Sequence, residues 1–259
     1  MERLTEYARH PLFSGAPPEE IQRLLACLKA FERSYGKGQV ILPAQERQRC
    51  IGLVLAGRVD LMKEYVTGDS AFLAYAAEGE LFGGLGALQR QGLAPATLTA
   101  GAAGTRVLFL PAEKLLHPCP KNCALHRRMP EALMEHLSRR GAELVAKLAV
   151  TAETALRGKL IGCLCLLARQ KGSGTLSLPL NRTELAGYLN ANRSALTREL
   201  SAMRREGLLD YDKNRFVLNM EALTRAGAVP DRPGRAERRA APSQRDSADH
   251  LTETGAETE

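Results

Sequence analysis

The sequence predicts an α+β protein with an N-terminal antiparallel β-roll, a long helix and a C-terminal winged helix-turn-helix. Three patterns predict it. Between Tyr35 and Leu110, short β-like runs alternate with glycine-marked turns. From about Asn122 to Ala155, apolar residues recur at helical spacing. Residues 181–218 read as helix, turn, helix and hairpin. The expected units are 1–120 for the roll, 121–155 for the long helix, 156–228 for the winged head and 229–259 for a disordered tail.

Pro11 to Gly15, then Pro17-Pro18-Glu19-Glu20-Ile21, predict a short helix start. Ile21, Leu24, Leu25 and Leu28 form its buried face. Strands are expected at 39–42, 51–55, 59–62, 72–76, 97–100 and 107–110. Regular short strands of this kind fit a compact roll or barrel. Pro118 and Pro120 close that region. On the long helix, Leu133, Leu137, Leu144, Leu148 and Ala155 share a stripe, interrupted by Arg140 and Thr151. We read the stripe as a seam between two copies, with packing on the β domain as the alternative. Leu160, Leu164, Leu166 and Leu167 open the C-terminal domain.

In the head, Leu185, Ala186 and Leu189 mark the inner side of one helix. Leu196, Leu200 and Met203 mark that of the next. Asn190-Ala191-Asn192 makes the turn, with Asn190 tolerant of left-handed backbone. Asn181 and Glu184 form an N-x-x-E capping box, and Asn192 caps the second helix. Gly207 ends that helix, and Asp212-Lys213-Asn214 turns the hairpin. Arg193, Ser194, Thr197 and Arg198 fall on the outer face, chemistry suited to phosphates and base edges. Thr183, Asn192, Arg182 and Lys213 are further candidate contacts; for Asn181 we favour simple capping.

Charge supports a polyanionic partner. The 259-residue chain carries a formal +7, and residues 155–225 hold twelve Lys/Arg against six Asp/Glu. No apolar run approaches the ~18–20 residues that span a bilayer, and no basic-then-apolar leader is visible. Six cysteines without a secretion signal fit reduced thiols, so a cytoplasmic location is expected. Cys119, Cys123 and His126 share a helical face and form a weak metal or redox candidate. Their spacing is not that of common zinc knuckles and no fourth ligand is evident, so packed thiols are preferred. Cys27, Cys163 and Cys165 read as core. No cofactor is expected.

The order PLFSG, IGLVLAGRVDLMK, GELFGGLGAL, long helix, NRTELAGYLNANRSALTREL resembles the cyclic-AMP receptor/FNR (Crp/Fnr) family of bacterial transcription regulators, up to about Leu223. The resemblance implies a cyclic-nucleotide-binding-like roll and a homodimer on palindromic promoter DNA. It also implies RNA polymerase as a further partner and a small-molecule or redox signal sensed by the roll. Family recognition helices begin with an Arg-Glu pair and carry an Arg a turn later. Arg193 and Arg198 match the arginines, while Ser194 replaces the acidic residue, which changes the expected half-site. Nucleotide-binding members use Gly-Glu-Leu for the ribose and Arg-Ser for the cyclic phosphate. Here Gly83-Gly84-Leu85 and Ala94-Pro95-Ala96 occupy those places, so cyclic AMP is not the expected signal. A ligand-sensing module acting through protein partners is the alternative. Catalysis is not expected: the Gly79–Gly86 loop lacks a strand–GxGxxG–helix setting, and no nucleophile–base constellation is visible.

Overall fold

A computed structural model describes residues 2–8, 10–67, 70–117 and 124–225. The expected tail, Pro118, Pro120, Cys119 and Cys123 lie outside those residues. Helix α1 (Glu2–Ala8) and a 3-10 turn (Pro11–Phe13) lead into α2 (Pro18–Leu28). Pro18 stands at the start of α2, where no N–H is needed, and Glu19 and Glu20 complement the helix dipole. Ile21, Leu24 and Leu28 are buried against the roll, as their spacing predicts.

The roll contains β1 (Phe31–Tyr35), β2 (Val40–Leu42), β3 (Cys50–Ala56), β4 (Arg58–Glu64), β5 (Ser70–Ala77) and β6 (Leu81–Phe82). A short helix α3 (Gly84–Ala87), β7 (Thr97–Ala100), β8 (Thr105–Pro111) and α4 (Ala112–Leu116) complete it. The strands form two four-stranded sheets, ordered β1-β8-β3-β6 and β2-β7-β4-β5. The pairings are antiparallel. Val54, Phe82 and Val107 from one sheet meet Val59, Ala76, Leu98 and Ala100 from the other. Such alternating inward side chains are what close two sheets on one core. Two strands escape the sequence pattern. β1 is a largely exposed edge strand that pairs only with β8, so FERSY shows little apolar alternation. β6 is two residues long and sits inside a glycine-rich run.

Helix α5 (Ala124–Ala152) ends three residues short of the expected boundary, and Ala155 instead caps the next helix. Its stripe is also divided. Leu125, Met129 and Leu133 are buried in the roll's core, with Leu137 packed beside them. Leu144 and Leu148 of that stripe are exposed, and the helix's most exposed large apolar residues, Met134, Val145 and Leu148, are 68%, 67% and 68% exposed. Ser138, Gly141 and Ala152 share that exposed face. These positions advance by four, three, four, three and four, the repeat of a coiled-coil seam. Leucine counting joined Leu133 and Leu137 to Leu144 and Leu148 in one stripe, because large residues dominate a stripe read from sequence. The face left open is instead lined partly by small residues.

The head contains α6 (Leu156–Lys171), β9 (Thr175–Ser177), α7 (Arg182–Tyr188) and α8 (Arg193–Arg205). β10 (Leu209–Asp212), β11 (Arg215–Leu218) and α9 (Met220–Arg225) follow. The hairpin gains a third strand, giving the order β10-β11-β9. β9 has only three residues, too few for a period to show. Leu160, Leu164, Leu176, Leu185, Leu189, Leu196, Leu200 and Phe216 share one core. Among the described residues, no helix is long and apolar enough to cross a membrane.

Candidate nucleic-acid interface and sensor cavity

The local sequence dictates how α7 and α8 meet. Asn181 accepts from the backbone N–H groups of Thr183 and Glu184, at 2.9 and 3.0 Å. Glu184 in turn accepts from Asn181 N–H at 2.8 Å, completing the capping box. Asn190 takes φ +50°, the left-handed turn between the helices. Asn192 then caps α8 by accepting from Ser194 N–H at 2.8 Å. Leu196 and Leu200 are fully buried and Met203 nearly so, which fixes the helix's rotation about its axis.

With that rotation fixed, Arg193, Ser194, Thr197 and Arg198 are all exposed. Asn192 and Thr183 are exposed beside them, at the helix start and on α7. Thr197 Oγ1 donates to Arg193 O at 3.0 Å, which leaves its methyl for an apolar contact. Lys213 sits at the two-residue turn of the wing, at φ +49°, and is exposed. Arg182 is held differently. Its guanidinium lies 5.0 Å from the Tyr211 ring centre and 5.5 Å from that of Phe216, and it donates to Lys213 O at 2.9 Å. It braces the wing against α7, an arrangement no sequence period signals. Arg157 ties α6 to α8 through Glu199 at 2.6 Å and Glu206 at 2.7 and 2.8 Å.

His126 is buried, with Nε2 donating to Lys114 O at 2.8 Å and Nδ1 3.8 Å from Cys27 Sγ. Its ring is therefore used in packing α5 onto α4 and α2. Among the described residues, no group of three His, Cys, Asp or Glu side chains could hold a metal.

A cavity of about 410 Å³ lies between the roll, α5 and the head. Leu81 and Tyr75 line it from the roll, Leu144 and Lys147 from α5, and Leu167 and Tyr188 from the head. Its few charges are occupied. Arg140 pairs with Glu143 at 2.9 Å and Glu80 at 3.4 Å, and donates to Tyr75 O at 3.0 Å. Lys147 donates to Leu73 O, and its ammonium lies 3.8 Å from the centre of the Tyr188 ring. Burial holds the Lys147 amine down to about 8, and raises the Tyr75 hydroxyl and the Cys163 thiol to about 12. Where nucleotide-binding relatives would present a glutamate, Gly84 faces Leu137. A Cβ there would lie 2.8 Å from Leu137 Cδ2. Ala94 and Ala96 are buried and, with Pro95, carry no cation for a phosphate.

An exposed basic helix and wing, joined to a β-roll across a shared cavity, are the architecture of a two-part protein with a DNA-binding head of the helix-turn-helix class. A model of the cyclic nucleotide-binding domain matches residues 32–121, and one of the Crp-like helix-turn-helix domain matches residues 158–226. The cyclic AMP receptor protein of Thermus thermophilus is 31% identical over 204 residues, spanning 77% of this chain and 88% of that protein. The chain therefore belongs to the Crp/Fnr family, whose members regulate transcription. Two solved structures share the fold. A CooA mutant from Carboxydothermus hydrogenoformans has TM-score 0.62 and 19% identity, over 86% of this chain and 94% of that one. The c-di-GMP-responsive regulator CLP of Xanthomonas campestris has TM-score 0.61 and 20% identity, over 78% and 99%.

Proposed function

We propose that this regulator binds palindromic promoter DNA as a homodimer, each copy reading one half-site with the outer face of α8. The observation that carries this is the rotation of α8. Three buried residues turn Arg193, Ser194, Thr197 and Arg198 outward together. Arg198 makes the bidentate contact to guanine, and Arg193 meets a base or phosphate. Ser194 offers a neutral hydroxyl that donates as well as accepts, in place of a carboxylate that only accepts, so the half-site differs from one read by an Arg-Glu pair. Asn192, Thr183, Arg182 and Lys213 position the head through backbone contacts. The exposed face of α5 supplies the seam between copies, residues 1–120 sense, 156–228 read, and RNA polymerase is the downstream partner in the cytoplasm.

The controlling ligand occupies the cavity between roll, α5 and head. It touches both domains there, so its binding shifts the population of head positions. The walls favour a largely apolar molecule over cyclic AMP, because a glutamate at position 84 would displace Leu137 and no cation stands at 94–96. Isothermal titration with cyclic AMP is expected to give no heat of binding; micromolar affinity overturns this part. Selection of the full-length chain against random duplex DNA tests the main reading. An inverted repeat with half-site centres about 10–10.5 bp apart is expected. Recovery of no sequence, or of a single unrepeated site, contradicts it.

A further inference from the structure

We propose that Arg58 and Asp60, in the sensor roll and outside the recognition helix, are positioning residues for DNA reading because they lock α7 to the roll through Glu184. The inference rests on the homodimeric DNA-binding reading above and adds how the head is oriented.

Arg58 is 5% exposed, yet its charge is fully matched. Its Nε and Nη2 donate to the two carboxylate oxygens of Asp60, at 2.6 and 2.8 Å. Nη1 and Nη2 donate across the domain boundary to both oxygens of Glu184, at 3.1 and 2.9 Å. A planar guanidinium that grips two carboxylates in this way fixes direction as well as distance. The roll is cut to fit it. A Cβ at Gly101 would lie 2.5 Å from Arg58 Nε and 2.5 Å from Asp60 Oδ2, so only glycine leaves room for the pair. Beside the ion network, Phe72 of β5 joins the head's apolar core and meets Tyr188 at 6.3 Å between ring centres. Glu184 is at once the capping residue of α7 and the roll's anchor. The α7 N-terminus, and with it the rotation of α8, is thereby referred to β4.

In the locked position the reading face of α8 is exposed. The lock thus prepays the ordering that two heads need to meet half-sites at a fixed separation. Opening it leaves base preference intact and weakens control of spacing.

The test uses the full-length chain on its selected operator and on operators with one base pair added or removed between half-sites. Arg58→Met is expected to lower affinity for the selected operator about tenfold and to shrink the penalty for altered spacing. The ranking of half-site bases stays unchanged. Glu184→Gln keeps the cap, since glutamine serves in a capping box. It also leaves the Arg58–Asp60 pair whole, so it reports on the lock even if Arg58→Met does not fold; about a threefold loss with the same relaxed spacing is expected. Arg58→Lys keeps the charge without the fork and should restore affinity only in part. Unchanged affinity, or a loss with the spacing penalty intact, overturns the proposal. A wild-type chain that selects no operator overturns the DNA reading itself, a failure visible before any variant is made.

Discussion

Arg198 and Asn181 show two different ways a polar residue is used in the head. Arg198 is exposed on α8, so Arg198→Ala leaves the fold alone and removes only the proposed base contact. An operator affinity loss of about 1–3 kcal/mol, roughly five- to 150-fold, is expected by fluorescence anisotropy, with discrimination lost at one base pair. Asn181 spends its side chain on two backbone N–H groups. Asn181→Ala should destabilise the chain by about 0.5–2 kcal/mol in thermal unfolding without altering base preference. The Asn181 cap and the outward position of Arg198 were legible from spacing, because caps and helix faces are local. Arg182 was not: its stacking on Tyr211 and Phe216 depends on where the wing returns. His136 adds a pH dependence. Burial, helped by Arg139 and Arg140, holds it down to about 4 against 6.5 when unfolded. Between those values the unfolded chain binds a proton that the folded chain refuses, so stability falls as pH drops through that window. The unfolding midpoint should decline from pH 7 to pH 5, and His136→Gln should flatten the decline.

Helix α5 carries the clearest lesson among the elements. Its existence was plain from composition and period, yet the single stripe read from sequence is split: Leu133 and Leu137 pack on the roll, while Leu144 and Leu148 stay exposed. Leu133 is buried in the roll's core, while Met134, Val145 and Leu148 face outward. A stripe of leucines tells that a helix is amphipathic, not which of two neighbouring faces meets which partner. Val145→Glu with Leu148→Glu places charges on the open face and should leave the circular dichroism spectrum intact. Sedimentation should shift from dimer to monomer, and operator binding should collapse with it. A dimer that survives both charges contradicts the seam. The strands show the same limit. Strands rich in buried apolar residues, such as β3 and β4, were legible, and the solvated edge strand β1 and the two-residue β6 were not.

For the whole molecule, the distribution of charge matters more than its sum. Twelve Lys/Arg against six Asp/Glu in residues 155–225 place the positive excess on the head. Affinity for DNA should therefore fall steeply between 50 and 200 mM salt. The domain order was readable because each piece has its own period: glycine-marked strands, a long helical stripe, then two capped helices. What joins the pieces was not. The Arg58–Glu184 contact spans residues far apart in the chain, and the cavity is walled by three of its regions. Methylation protection of guanine N7 on the bound operator probes the major groove itself. Symmetric guanines should be protected by the wild-type chain and become reactive again with Arg198→Ala. Guanines that stay reactive under wild-type protein, or stay protected under the variant, would show that this face of α8 does not read DNA as proposed.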